Sequence, residues 1–172
     1  SEYGWQAGSE AGIKVKGLKQ LFPSRVAVFS LDEKSSQRRG VSPDGLVEIG
    51  YEEIEPEDMA LLRQTLNLTD LAVEAVHSLA RKYQRKWLES LLGLGGGEEA
   101  KALLSELNVS DMTYHNLRRG VERLRRLPFL LPHSPGNAVE QILGYLERGM
   151  SVVLEFGSYD DLTAYILVAN VL

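Results

Sequence analysis

Two short apolar runs constrain the fold of this 172-residue chain more than any other feature. Residues 25–31 have the sequence R-V-A-V-F-S-L, and residues 151–156 have the sequence S-V-V-L-E-F. Continuous apolar runs of this length are typical of strands that are covered on both faces, as in parallel sheets. Because helical segments flank the second run, the order helix–strand–helix predicts an α/β fold with a parallel sheet of the doubly wound kind.

The long segment between these runs predicts mainly helices. Pro56 suits the first turn of one helix, and Thr69 is a suitable N-cap for a second helix that continues to about Leu92. Ser110 is a suitable N-cap for another helix, and Gly149 is well placed to end the helix before the second strand. The chain is therefore expected to be helix-rich, with its sheet formed by strands that are far apart in sequence.

The chain divides into three predicted parts. Residues 1–55 are the N-terminal part of an α/β core with two strands, because an alternating segment at 46–51 predicts a short edge strand. Residues 32–45 are polar and contain Gly and Pro, which predicts an exposed loop. Residues 56–131 predict a helical insertion, and residues 132–172 predict a helix–strand–helix return to the core.

Charge and composition exclude several classes of protein. The formal net charge is −5, whereas a protein dedicated to coating DNA is usually basic, so any contact with nucleic acid must come from a local patch. The chain has no cysteine, which excludes disulfides and thiolate metal sites. We find no apolar run long enough for a membrane span and no signal peptide. A cytoplasmic protein without a membrane partner is expected.

Three segments carry a resemblance to a known family. The chain opens with S-E-Y-G, then has R-V-A-V-F-S-L-D-E, and residues 148–172 have the sequence R-G-M-S-V-V-L-E-F-G-S-Y-D-D-L-T-A-Y-I-L-V-A-N-V-L. The opening resembles the end of the Asp-x-His-x-Glu-Tyr-Gly motif of the HerA/FtsK-type P-loop ATPases, in particular of the HerA-like central domain. The other two segments resemble the next strand of that domain and the strand and helix before Walker B. The resemblance implies a partial P-loop-type parallel sheet with a helical insertion subdomain.

Two defining motifs of that family are missing from this sequence. There is no G-x-x-x-x-G-K-[ST] phosphate loop and no apolar run that ends in Asp-Glu. We therefore expect an internal fragment of a longer chain that is itself inert toward ATP, with no cofactor and no metal site. For the parent protein, the resemblance implies ATP and Mg²⁺ as cofactors, translocation along double-stranded DNA, a nuclease partner and a homo-oligomeric ring.

The resemblance also suggests residues for the nucleotide site of the parent. Glu2 matches the motif glutamate and is expected to have a catalytic role there, in placing water or metal, and Tyr3 is expected close to the nucleotide. Glu155 lies on a predicted buried strand and is expected near the carboxyl end of the sheet, where ligands of open α/β folds bind. The alternative for Glu155 is an ion pair with an arginine, because a buried carboxylate is costly unless it is paired.

An arginine-rich segment is the most basic feature of the chain, and it is the predicted contact with nucleic acid because the planar guanidinium can bind two phosphate oxygens. The alternative is a solvated helix face. Two further functions stay open: a helical protein-interaction module with no nucleotide chemistry, and a DNA-binding module that depends on this patch alone. The predicted contact residues are Arg118, Arg119, Arg123, Arg125 and Arg126.

Overall fold

The computed structural model contains two compact units, each formed by two segments of the chain. The α/β unit comprises Ser1–Glu48 and Gly136–Asp160, and the helical unit comprises Ile49–Pro135 and Asp161–Leu172. The division predicted from the sequence at residues 55 and 131 stays a prediction. Within these units the structure describes residues 6–7, 14–15, 17–40, 42–95, 97–134, 138–157 and 162–171. No helix in these ranges is long and apolar enough to cross a membrane.

The strands are short and the helices numerous. In chain order the strands are β1 (Gln6–Ala7), β2 (Lys14–Val15), β3 (Val26–Ser30), β4 (Gly45–Leu46), β5 (Ile49–Gly50), β6 (Leu130–Leu131) and β7 (Ser151–Glu155). The helices are α1 (Leu18–Leu21), α2 (Glu33–Arg38), α3 (Pro56–Leu61), α4 (Arg63–Leu66), α5 (Asp70–Tyr83), α6 (Trp87–Gly93), α7 (Glu98–Glu106), α8 (Asp111–Leu124), α9 (Ala138–Glu147) and α10 (Leu162–Val171).

The α/β unit is built on a three-stranded parallel sheet in the order β4–β3–β7. The central strand β3 is buried along its whole length and pairs with β7 from Val26 opposite Ser151 to Ser30 opposite Glu155. A buried central strand explains why the first run is continuously apolar. The structure confirms the helix-rich α/β class and the parallel sheet expected from the sequence.

A single carboxylate fixes the chain before β4 to the central strand. The Asp44 amide donates to the Val28 carbonyl at 2.7 Å, and the Val28 amide donates to Asp44 Oδ2 at 2.7 Å. Lys19 Nζ donates to both Asp44 carboxylate oxygens and to the Val26 carbonyl at 2.6 Å. These bonds hold α1 and the start of β4 against β3, and they satisfy backbone groups of Val26 and Val28 that precede the residues of β3 paired with β4.

The helical unit packs around α5 and α8, and both begin at the caps predicted from the sequence. Thr69 Oγ1 accepts a hydrogen bond from the Ala72 amide, and Ser110 Oγ accepts one from the Thr113 amide, each at 3.2 Å. The buried Trp87 indole donates to the Ile54 carbonyl at 2.8 Å. The two caps satisfy amides that have no partner within the first turn of a helix.

Three local predictions are wrong. The predicted loop at residues 32–45 contains α2, which Asp32 caps by accepting from the Ser35 amide at 2.9 Å. The long helix expected from Thr69 to Leu92 is interrupted at Gln84, whose φ of 53° is incompatible with a continuous right-handed helix. The edge strand expected at residues 46–51 is two strands, β4 and β5, which belong to different sheets.

The pKa of the buried Asp58 carboxyl is raised in the folded state. It is buried in the first turn of α3, and its Oδ2 accepts the Glu55 amide at 2.8 Å. Burial raises the pKa of Asp58 above its ordinary 3.8, because the charged form is desolvated; the bond from Glu55 opposes this, and the charges of Glu55 and Glu57 add to it. The folded state therefore binds the proton more tightly than the unfolded state does.

We predict that wild type gains stability relative to Asp58→Asn as the pH falls. The amide oxygen of asparagine still accepts the Glu55 bond but does not titrate. The stability that wild type gains from protonation of Asp58 is fully present below the ordinary pKa of 3.8. It is lost as the pH rises through the raised pKa of the folded state. Urea denaturation of both proteins across this range measures the difference in free energy of unfolding. A difference that is constant with pH, or that grows in the opposite direction, contradicts the prediction.

Candidate functional site

The carboxyl ends of β3 and β7 lie side by side, because the two strands are parallel and Ser30 is paired with Glu155. Open α/β sheets bind their ligands at this end. The chain leaving β3 turns into α2, which brings the side chains of Asp32, Ser36 and Arg39 to the same place. We call Ser30, Asp32, Ser36, Arg39 and Glu155 the edge network.

Hydrogen bonds order the edge network into a chain that ends on Glu155. The Asp32 amide donates to Ser30 Oγ at 3.0 Å, and Ser36 Oγ donates to Glu155 Oε2 at 2.7 Å. The two serine hydroxyls lie 2.9 Å apart. Since the Ser36 hydrogen is used on Glu155, Ser30 is the donor between the serines, because each hydroxyl has a single hydrogen. The Ser36 hydroxyl could instead donate to the Asp32 carbonyl, but that distance is longer, at 3.2 Å.

Glu155 is buried, and its charge is compensated within the α/β unit. Only 7% of the residue is exposed, and Arg39 forms an ion pair with its Oε1. Glu155 thus lies at the carboxyl end of the sheet and is also paired with an arginine, the two placements that the sequence suggested for it. Sequence reasoning missed Ser36 and Arg39 as its partners, since both fall in the segment predicted to be a loop. Proximity of Glu155 to a nucleotide stays a prediction.

The turn after β7 requires glycine. Gly157 has φ +65°, a conformation that L side chains rarely adopt, and a Cβ at this position would lie 2.5 Å from Asp32 Cβ. The backbone after β7 therefore passes directly against the N-cap residue of α2. This close approach keeps the edge network compact and places Glu155 within reach of α2.

The edge network does not fit a Mg²⁺–triphosphate group by its own residues. Its buried carboxylate is already bonded to Ser36 and Arg39. In the described ranges no three His, Asp or Glu side chains form a cluster that could hold a metal. The phosphate-loop motif does not occur in this sequence. Glu2 and Tyr3, the other residues predicted for the nucleotide site, lie outside the described residues.

The five arginines predicted to contact nucleic acid divide into two groups. The first group, Arg118 and Arg125, has side-chain partners within the helical unit. The Arg118 guanidinium donates to the Leu94 carbonyl and, at 2.8 Å, to the Tyr114 hydroxyl, and it lies 6.0 Å from the Tyr114 ring centroid. Arg118 thereby joins α8 to the end of α6. Arg125 also has a partner, since it lies 3.7 Å from Glu122 in an exposed ion pair.

The second group consists of exposed arginines with few contacts. Arg119 Nε donates to the His115 carbonyl of its own helix at 3.3 Å, and Arg123 donates to the Thr65 carbonyl at 3.3 Å. Arg126 makes no side-chain hydrogen bond or ion pair with the part of the chain that the structure describes. These three exposed side chains have no carboxylate partner among the described residues and are available to an anionic ligand, whereas Arg125 is paired with Glu122 and Arg118 bonds to Leu94 and Tyr114.

An open cleft of about 780 Å³ lies elsewhere in the helical unit and contains none of the predicted site residues. Carboxylates and cationic side chains line its walls together, with Pro56, Ser78 and Trp87 among the other lining residues. No periodic pattern or motif predicts this cleft, because its walls come from separate segments of the chain. Its charged lining residues are Glu52, Glu55, Glu57, Glu74, Arg81 and Arg85.

We predict that Arg39 and Glu155 are energetically coupled. Arg39→Met leaves a buried carboxylate without its ion-pair partner and is expected to cost about 1–3 kcal/mol of unfolding free energy, less than for a fully buried pair because Arg39 is partly exposed. When Arg39→Met is made in a protein that already carries Glu155→Gln, this loss of unfolding free energy should largely disappear. A double-mutant cycle by urea denaturation measures the difference. Arg38→Met, at the exposed neighbour, is the control and should change stability by less than about 0.5 kcal/mol. Additive effects of the two substitutions contradict the coupling.

The two groups of arginines differ in their predicted contribution to stability. Arg118→Ala removes two hydrogen bonds and a cation–π contact and is expected to cost about 1–3 kcal/mol. Arg126→Ala should change the unfolding free energy by less than about 0.5 kcal/mol, because it removes an exposed side chain. Denaturant unfolding of both variants checks this. Equal effects would show that the proposed division of the arginines is wrong.

Comparison with known proteins identifies a family. The family model described as "Helicase HerA, central domain" matches residues 1–172. A search of the curated proteins and a search of the solved structures each found no match. Because the matching family model spans the whole chain, this chain belongs to the family of the HerA helicase central domain, a family of HerA-like ATPases.

Proposed function

We propose that this chain is part of a HerA-like motor that uses ATP hydrolysis to translocate on double-stranded DNA. The observation that carries the proposal is the match of the HerA central-domain family over all 172 residues. That family is described as a helicase, so its members are expected to act on nucleic acid and to draw energy from ATP. The parent protein would bind ATP and Mg²⁺, form a homo-oligomer in the cytoplasm and work with a nuclease partner.

The fragment itself is proposed to be unable to hydrolyse ATP. Phosphoryl transfer depends on positioned backbone amides, a lysine and Mg²⁺ around the phosphates. This sequence contains neither the phosphate loop nor an apolar run that ends in Asp-Glu, and the edge network does not replace them. The groups that hold the triphosphate would come from other segments of the parent protein.

Glu2, Tyr3 and Glu155 are proposed to belong to the nucleotide site of the parent. For Glu2 and Tyr3 the support is their match to the family motif. For Glu155 the support is its place at the carboxyl end of a parallel strand. Its bonds to Ser36 and Arg39 suit it to a positioning role: it would fix the end of β7 and the start of the following segment, while other groups contact the nucleotide.

A protein-interaction module is the second candidate function, and the cleft of the helical unit favours it. An open cavity of about 780 Å³ with both acidic and basic side chains on its walls suits an extended polypeptide segment that carries both charges. In this account the helical unit binds a protein and takes no part in nucleotide chemistry. The two candidates differ in whether the parent hydrolyses ATP.

We predict that the full-length protein hydrolyses ATP with Mg²⁺, that double-stranded DNA raises its rate, and that the 172-residue chain alone shows no turnover. Phosphate release with and without duplex DNA measures both preparations. Displacement of a third strand from a triplex then tests for translocation. A full-length protein without ATPase activity would contradict the motor proposal and favour the interaction module, and ATPase activity indifferent to DNA would contradict translocation on DNA. Turnover by the isolated chain would disprove the claim that it is inactive.

A further inference from the structure

The exposed arginines of α8 form a row with the geometry of a polyanion contact. Arg119 and Arg123 lie one helical turn apart, and Arg126 follows in the turn that ends α8. We infer that this arginine row, Arg119, Arg123 and Arg126, is a contact surface for the phosphate backbone of duplex DNA. The inference rests on the proposed function, and it selects three of the five arginines that the sequence alone indicates.

The packing of α8 fixes the direction in which the arginine row faces. The opposite side of α8 is buried, with Leu117, Val121 and Leu124 each at most 1% exposed. Because residues three and four apart share one face of a helix, burial of that side places Arg119 and Arg123 on the solvent side. The row is thus presented on a helix whose orientation the core of the helical unit determines.

The guanidinium groups of the row keep most of their hydrogen-bonding capacity. An arginine has five N–H donors, and the single bonds of Arg119 and Arg123 to backbone carbonyls are long, at 3.3 Å. No ion pair forms between the row and a carboxylate in the part of the chain that the structure describes. The nearest acid in sequence, Glu122, lies in an ion pair with Arg125. Among the described residues, the row therefore keeps its positive charge without a direct carboxylate partner.

The spacing of the row suits a repeating anion better than a single phosphate. With a rise of about 1.5 Å per residue, the seven steps from Arg119 to Arg126 span about 10 Å. Phosphates of one DNA strand recur about every 3.4 Å along the duplex axis, so this span covers about three of them. The one-turn separation of Arg119 and Arg123 lets neighbouring guanidiniums reach neighbouring phosphates.

The net charge of the chain limits how this surface can act. The formal charge of this chain is −5, so its net charge does not attract DNA and attraction must come from close contact at the row. Each phosphate contact contributes about −0.9 to the slope of log affinity against log salt concentration. Three contacts therefore predict that loss of the row reduces the steepness of this slope by about 2–3.

The test uses the full-length protein and a short duplex DNA without a preferred sequence. We predict that the triple variant Arg119→Ala, Arg123→Ala, Arg126→Ala binds the duplex roughly tenfold or more weakly at low salt, with a salt slope shallower by about 2–3. Fluorescence anisotropy at several salt concentrations measures both quantities. The corresponding triple lysine variant, which keeps the charge, should recover most of the affinity and thereby exclude misfolding as the cause of the loss.

A matched control removes the same charge elsewhere on the helical unit. Lys82→Ala, Lys86→Ala, Lys101→Ala replaces three exposed cations that belong neither to the row nor to the cleft, and it should leave the affinity within about twofold of wild type. Equal losses in the two triple variants, or an unchanged salt slope in the row variant, overturn the inference. A row variant that keeps its DNA affinity but loses binding to polyglutamate also overturns the inference, since that result assigns the row to an acidic protein.

ATPase assays of the same variants separate failure of this inference from failure of the proposed function. If wild type shows DNA-stimulated ATP turnover and the row variant keeps both its DNA affinity and this stimulation, the inference is wrong and the motor proposal stands. If wild type neither binds the duplex nor responds to it, both are wrong. The supporting result is a row variant with normal turnover in the absence of DNA but weakened DNA affinity and stimulation.

Discussion

The buried carboxylate of Glu155 is the constraint on which the α/β unit depends. Parallel pairing of β3 with β7 places it at the carboxyl end of the sheet, 7% exposed, where an unpaired charge would be strongly destabilising. The chain compensates it with Ser36 and Arg39, both supplied by the segment that follows β3. The position of α2 and the close passage of Gly157 bring those partners to the carboxylate.

The elements that the sequence predicts well are those with a local physical cause. The apolar run of β3 reflects burial along the whole strand, Thr69 and Ser110 cap helices through their own hydroxyls, and Gly149 ends α9 with φ +74°. In each case the residue type and the conformation are linked within a few positions along the chain. The α/β class followed from the order of such elements.

The errors arise where distant contacts decide the structure. α2 has six residues, too few to show periodicity, and its Ser36 is buried because it bonds to Glu155 more than a hundred residues away in sequence. The break at Gln84 depends on a positive φ that glutamine seldom adopts, so its residue type gave no signal. Likewise, five similar arginines in one segment have different roles because of what α8 packs against. Arg118 reaches the Leu94 carbonyl, whereas Arg126 projects from the turn after the helix.

We propose that this chain provides part of the nucleotide-binding sheet and a DNA-contacting helix of one motor. A structure of the full-length protein with duplex DNA and a non-hydrolysable ATP analogue would show both contacts together. We expect the nucleotide at the carboxyl end of β3 and β7, beside the edge network, and the arginine row against the DNA backbone. A nucleotide bound away from this end of the sheet, or DNA on a surface without α8, would contradict it.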